Sequence, residues 1–281
     1  MDYLHTIIVG IVQGLTEFLP VSSSGHIVLT SYIYKLITGG EFLAENSEEV
    51  FFDIMIHFGT LVAIIIYFRE KLKNIFVEFF SCLKNKNFKN NYQAMLPVYM
   101  LTGTFFTCIV VYPIKDFCES LLNTPYIVGI LLIVTGSILF LSEFLSKRFE
   151  QKTMEVNLKK SVLIGLAQGI AALPGISRSG STIAMGLASG LNRKDAAEYS
   201  FLLSIPVILL AVFYHSLELL KTGEFSGFAF GPIIVGSILA GLVGYFCIKY
   251  FIAYLNKFSL NIFGIYCVII GIITTCAFLY F

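Results

Sequence analysis

Charge is scarce in this chain. Asp, Glu, Lys and Arg make up 13% of its 281 residues, about half the share of a soluble domain, too few to cover a water-facing exterior. A net charge of +1 excludes the electrostatic footprint of a nucleic-acid binder. Tryptophan is absent, which leaves 15 Tyr and 27 Phe to mark the membrane interfaces. No CxxC pair occurs among Cys82, Cys108, Cys118, Cys247, Cys267 and Cys276. That excludes a redox dithiol, and the six thiols read as small buried hydrophobes. No Lys or Arg precedes Lys35, so the start lacks the basic region of a cleaved signal peptide and reads as the retained beginning of a membrane element.

What is abundant is apolar sequence: 57% of the chain is hydrophobic, in runs long enough to cross a bilayer. Full spans are expected at 51–68, 95–113, 125–143, 197–217, 232–250 and 261–280. Two further apolar regions are interrupted. Residues 3–19 and 27–37 flank Pro20-Val-Ser22-Ser23-Ser24-Gly25-His26, and residues 161–173 and 179–191 flank Pro174-Gly175-Ile-Ser177-Arg178. Each piece is marginal as a crossing, and irregular backbone at membrane depth must line a cavity or be buried in protein. Two re-entrant pairs of half-helices are the expectation.

The two breaks are copies of one another. A shift of 155 positions lays Gln13 on Gln168, Gly14 on Gly169, Ser22 on Ser177, Ser24 on Ser179 and Gly25 on Gly180. Further on, Pro97 matches Pro232, Gly129 matches Gly264 and Gly136 matches Gly271, now at 135 because the first copy has longer loops. The expected architecture is one all-α integral membrane domain over 1–281, with a first repeat at 1–145 and a second at 158–281. Lys and Arg concentrate in the loops 69–91, 144–160, 192–195 and 249–257, which places these inside; the acidic stretch 39–50 (Glu41, Glu45, Glu48, Glu49) and the loops 114–122 and 218–228 go outside. A re-entrant pair plus three spans makes an odd number of crossings, so the second repeat enters from the opposite face. In such inverted repeats, broken helices meet near the midplane and form the binding site.

Chemistry gathers at the breaks. Gln13 and Glu17, four apart, share one helix face, and a carboxylate at bilayer depth marks function by default. Each break starts a helix after a Ser- and Gly-rich turn, and its free N–H groups suit phosphate. Arg178 adds a planar fork of donors for the same anion. His26, with Ser22, Ser23 and Ser24 within a turn of it, offers a nucleophile or base. Glu17 is the natural ligand for a divalent cation, Mg²⁺ or Ca²⁺, shared with substrate phosphates. Any single serine here is more often an N-cap or a helix–helix hydrogen bond than a ligand. The conjunction of Glu17, His26 and Arg178 does not. Asp53 and His57, four apart at the start of a span, read as packing groups or as outer support for the site.

These residues carry a resemblance. Gln13-x-x-x-Glu17 with Phe-Leu-Pro-Val-Ser-Ser-Ser-Gly-His26, and Pro174-Gly-Ile-Ser177-Arg178-Ser-Gly-Ser-Thr182, resemble the two signatures of the undecaprenyl-diphosphate phosphatase family, also called bacitracin-resistance proteins. The resemblance runs the length of the chain. It implies inverted repeats with re-entrant helices, a multi-pass protein of the bacterial plasma membrane, and a site open toward the outer face. It implies removal of the terminal phosphate of a polyprenyl diphosphate, which recycles the lipid carrier for cell-wall synthesis. By motif, Glu17, Ser23, His26 and Arg178 are the catalytic candidates, with Glu17 also the metal ligand. Gln13, Ser22, Ser24, Ser177, Ser179 and Thr182 are the substrate-binding candidates. Gln13 stands where a second Glu can stand, which puts a second carboxylate ligand in doubt. The sequence leaves open whether serine, histidine or water attacks phosphorus.

A transporter or flippase of an anionic lipid is the rival, since inverted repeats with broken helices are its architecture too. It would need Arg178 but no Ser23–His26 cluster. The partners expected are the lipid substrate and membrane lipids. Gly236-x-x-x-Ala240 is a small-residue signal for a homo-oligomer.

Overall fold

Why the chain breaks where it does is visible in its helices. The structure, a computed structural model, describes residues 2–39, 47–88, 91–122, 124–147, 155–222 and 228–279. Its elements, in chain order, are α1 (Tyr3–Thr16), α2 (Ser23–Thr38), α3 (Ser47–Tyr67), α4 (Arg69–Asn85), α5 (Tyr92–Leu121), α6 (Pro125–Ser146), α7 (Leu158–Ile170), α8 (Arg178–Ala188), α9 (Arg193–Thr222), α10 (Phe230–Leu255) and α11 (Asn261–Phe278). Six of them, α3, α5, α6, α9, α10 and α11, are long and apolar enough to cross a membrane, and each falls on one of the six expected spans, 280 lying outside the described residues. Glu41 and Glu45 of the acidic stretch lie outside the described residues.

The remaining apolar helices are short. α1, α2, α7 and α8 have 14, 16, 13 and 11 residues, and at about 1.5 Å per residue none reaches across about 30 Å of hydrocarbon. They pack as two pairs, α1 on α2 and α7 on α8, each across one break. The exterior is dressed for lipid: Leu101, Phe105, Phe213, Ile238 and Tyr250 are each more than half exposed.

Lipid offers no hydrophobic drive between helices, so they associate by close contact through small residues. A Cβ on Gly10 of α1 would stand 2.3 Å from the Gly236 carbonyl oxygen of α10, and one on Gly14 2.7 Å from that of Ala240. The Gly236-x-x-x-Ala240 stripe is therefore used inside the chain, as the surface on which α1 lies, and not for the self-association its spacing suggested. Gly165 of α7 meets the Gly103 carbonyl of α5 in the same way, at 2.3 Å. Between α6 and α11, Gly129 faces Gly271, and Gly136 faces Gly264. Where helices meet in the core, Phe18 is fully buried and touches Phe201 edge-on, with ring centroids 5.3 Å apart.

One reading from the sequence is corrected. The basic segment 69–89, expected as a loop, is largely the helix α4, from Arg69 to Asn85. Its apolar residues Leu72, Ile75, Phe79 and Cys82 recur at helical spacing, with Ile75 and Cys82 buried as the helix packs on α5. Lysines mask that pattern in a composition count. At the far end of α6, buried Glu143 is held by Arg193 through two bonds of 2.8 and 2.6 Å and by the Leu260 amide at 2.9 Å.

Candidate active site

Each break begins with a serine that caps the helix after it. Ser22 accepts the Gly25 amide at 3.3 Å, and Ser177 accepts the Gly180 amide at 3.0 Å. Satisfying one orphan donor this way fixes the first turn of α2 and of α8, and leaves their neighbouring amides and dipole ends at the break. The hydroxyl of Ser179 then ties the breaks together by donating to the Leu19 carbonyl at 2.9 Å. Thr182 is fully buried and turned into its own helix, donating to the Arg178 carbonyl at 2.8 Å and meeting Ser200. Of the substrate-binding candidates, then, Ser22, Ser177, Ser179 and Thr182 have their hydroxyls committed to the scaffold. Ser24 lines a cavity.

That cavity, of about 840 Å³, has Glu17, Ser23 and Arg178 among its lining residues. Glu17 follows α1 directly, and only 4% of its side chain is exposed. Arg178 opens α8 and reaches Glu17 Oε1 through Nη2. The other oxygen, Oε2, accepts Ser23 Oγ at 2.7 Å and Gln13 Nε2 at 3.2 Å. The pairing joins the two breaks through a salt bridge between residues 161 apart in sequence, and it answers the cost of burying either charge alone. Ile54, Ile176, Val207 and Ile208 supply apolar wall, and Lys115, Asp116, Glu119 and Tyr214 add a polar part of the lining. A chamber with an anion-binding polar end and an apolar flank suits an amphiphile with an anionic head.

His26 is not brought to this site. Its Nδ1 donates to the Ser22 carbonyl at 2.8 Å, its Nε2 accepts the Tyr266 hydroxyl at 2.8 Å, and the ring stacks on Tyr266 at 11°. Both nitrogens are in use, Nδ1 on the break itself and Nε2 on α11. Two histidines line the cavity, His57 of α3 and His215 of α9, and His57 is the one at Glu17, with Nε2 3.9 Å from Glu17 Oε2. The signal for it in the sequence was the Asp53–His57 spacing of one helical turn.

A divalent cation fits the donor chemistry. Among the described residues no three His, Cys, Asp or Glu side chains converge on one point, so the protein would hold an ion through few ligands and leave the rest to phosphate oxygens and water, as Mg²⁺ prefers. Glu17 Oε2 and the Ser23 hydroxyl are such donors. Gln13 Oε1, buried and without a hydrogen-bond partner, belongs to the side chain whose amide nitrogen already touches Oε2.

Comparison with known proteins gives the family. The chain is 40% identical over 272 residues to an undecaprenyl-diphosphatase of Halothermothrix orenii, covering 97% of this chain and 96% of the relative. It is 38% identical over 284 residues to an undecaprenyl-diphosphatase of Methanosphaera stadtmanae, covering 98% and 97%, and 38% identical over 278 residues to one of Carboxydothermus hydrogenoformans, covering 97% and 96%. A family model described as bacitracin resistance protein BacA matches residues 6–273, a range that holds both breaks, Glu17, Arg178 and all six spans but the end of α11. The chain belongs to the BacA bacitracin-resistance family.

Proposed function

We propose that the chain is an undecaprenyl-diphosphatase, hydrolysing a C55 polyprenyl diphosphate to the monophosphate and inorganic phosphate. The observation that carries the mechanism is the hydrogen bond of 2.7 Å from Ser23 Oγ to Glu17 Oε2, at a cavity where Arg178 and two helix N-termini converge. A hydroxyl donating to a buried carboxylate is a nucleophile with its base. Ser23 Oγ attacks the terminal phosphorus and Glu17 takes the hydroxyl proton. The bond to the bridging oxygen breaks and the lipid monophosphate leaves. Water then attacks the phosphoserine, releasing phosphate and restoring the hydroxyl. Arg178, with the amides opening α2 and α8, neutralises charge on the phosphoryl oxygens where it develops. Glu17, Ser23 and Gln13 would hold a Mg²⁺ or Ca²⁺ ion, which when bound adds positive charge beside the diphosphate. His26 acts through the backbone, pinning the Ser22 carbonyl.

The placement of the site in the bilayer belongs to the same proposal. Ser47, Lys115, Asp116, Glu119 and Leu219 line the cavity, and all come from the stretches poor in Lys and Arg that the positive-inside rule puts outside. That supports a cavity opening toward the outer face of a bacterial plasma membrane. The inverted repeat is supported by matched contacts. Exchanging the repeats carries Gly129 to Gly264 and Gly271 to Gly136, so the Gly129–Gly271 contact becomes the Gly264–Gly136 contact. With Cys108 and Cys276 replaced, a cysteine at Ser120 is expected to be labelled from outside and one at Asn85 only after the cell is opened; labelling of both from one side overturns the orientation.

The activity test is phosphate release from a C55 polyprenyl diphosphate by purified protein in detergent. Release that depends on Ser23 and Glu17 is the expected result. Transfer of the lipid across vesicles without release would point to the carrier reading instead.

A further inference from the structure

We propose that His57 is a further protein ligand of the divalent cation beside Glu17, supplying an imidazole nitrogen where the neutral Gln13 leaves Glu17 as the carboxylate of the first break. The inference rests on the cation reading above and extends it to a residue on a different helix. His57 Nδ1 lies 2.8 Å from the backbone oxygen of Asp53. A carbonyl only accepts, so Nδ1 carries the hydrogen and Nε2 presents its lone pair. That nitrogen stands 3.9 Å from Glu17 Oε2. Two ligands each about 2.1 Å from one ion lie between about 3 Å apart, at right angles, and about 4.2 Å, opposed, so a single cation bridges His57 and Glu17 with little movement of either.

Two further observations point to an ion there. A metal-binding histidine normally donates its other ring N–H to a carbonyl or carboxylate, which fixes the tautomer and aims the ring; His57 has that partner in Asp53. Gln13 Oε1 is a buried acceptor with no donor, on a fully buried side chain hydrogen-bonded to the same Glu17 oxygen. The amide nitrogen is the atom that faces Oε2, so a cation beside Oε2 gives Oε1 a partner once the amide turns over. The His57 side chain is 29% exposed and lines the cavity, so an ion can reach it. His26 has no nitrogen to give, since the Ser22 carbonyl and the Tyr266 hydroxyl take both. A mixed nitrogen–oxygen set shifts preference from Ca²⁺, which takes oxygen ligands, toward a cation that accepts imidazole, such as Mn²⁺.

Mn²⁺ is the probe. Protein labelled with ¹⁵N-histidine is purified in detergent, loaded with Mn²⁺ in the presence of inorganic phosphate, and read by pulsed electron paramagnetic resonance. The expected result is one directly bonded ¹⁵N coupling in the wild type. It disappears in His57→Gln, where Mn²⁺ also binds at least about tenfold more weakly, and persists in His26→Gln. Bound Mn²⁺ with no ¹⁵N coupling in the wild type, or a coupling that survives His57→Gln, overturns the assignment of His57 and leaves the cation reading standing. A wild type that binds no Mn²⁺ overturns the cation reading and this inference with it. The wild-type measurement decides even where a variant fails to fold.

Discussion

At the first break, Ser22 caps α2 through the Gly25 amide; 155 positions later, Ser177 caps α8 through the Gly180 amide. The flanking hydroxyls repeat as well, Ser22 with Ser24 at 3.4 Å and Ser177 with Ser179 at 3.2 Å. The charged side chains and the histidine do not repeat. The counterpart of Glu17 is Ala172, the counterpart of Arg178 is Ser23, and the counterpart of His26 is Ser181. Gln13 turns to Glu17, whereas Gln168 turns to Thr107. A duplicated scaffold has thus been divided: one break keeps the carboxylate and the hydroxyl, the other the guanidinium, and the salt bridge between them assembles the site. Two identical breaks would have set carboxylate against carboxylate or guanidinium against guanidinium, and a site for a diphosphate needs one of each.

The sharpest way to break this division is at its hydroxyls. Ser23→Ala removes the group that donates to Glu17 and is expected to lower phosphate release on the order of 10³-fold, about 4 kcal/mol of transition-state stabilisation. Ser179→Ala, at the second break, removes a tether to Leu19 and is expected to cost less than tenfold. Steady-state turnover of both, normalised to folded protein, decides. A mild Ser23→Ala beside a severe Ser179→Ala would move the nucleophile to the other repeat.

Arg178→Lys comes next. Lysine keeps the charge and loses the fork, so one ammonium nitrogen must serve both Glu17 and the phosphate. The expected loss is at least about tenfold, roughly 1.4 kcal/mol. Turnover near the wild type would remove Arg178 from the phosphate site and leave it as a structural partner of Glu17.

A smaller effect is expected for His26→Ala. The imidazole holds the Ser22 carbonyl and stacks on Tyr266, so its removal loosens the first turn of α2 without deleting a reacting group. A loss of roughly threefold to tenfold, with an unchanged cation requirement, is expected for lost positioning of this kind. A loss as deep as that of Ser23→Ala would return His26 to the chemistry.

These comparisons show what the sequence made legible. The repeat, the six spans and the Glu17–Arg178 pair could be read because charges and prolines stand out against apolar sequence. His26 was read as reactive because it sits three residues from Ser23. Three residues turn a helix to within about 60° of a full circle, and that remainder carries His26 from the cavity to α11. His57 was ambiguous for the opposite reason: the spacing of Asp53 and His57 fixes a shared face, and only the packing of α3 decides what that face meets. The cap serines could not be told from ligands, since both roles use an oxygen at a helix start. α4 was hidden because its lysines outweigh an apolar stripe of four residues, of which Ile75 and Cys82 are buried.

The smallest effect tests whether the two caps are equivalent. They are matched in sequence and differ in backbone. Ser22 has φ 71 and ψ 95, a conformation that side chains with a Cβ rarely adopt, whereas Ser177 has φ −72 and ψ 120 in the ordinary extended region. Glycine reaches positive φ without the steric penalty of a Cβ. Ser22→Gly therefore loses a long cap bond of 3.3 Å, a few tenths of a kcal/mol, and gains freedom in the unfolded chain, while relief of the backbone returns about 1 kcal/mol. Ser177→Gly loses a better bond of 3.0 Å and gains only freedom in the unfolded chain, so both changes destabilise. Thermal unfolding in detergent is expected to leave Ser22→Gly within about 0.5 kcal/mol of the wild type and to lower Ser177→Gly by about 1 kcal/mol. Equal losses at the two sites would mean that the first break does not hold Ser22 at positive φ, and that the duplicated caps remain alike in backbone as they are in sequence.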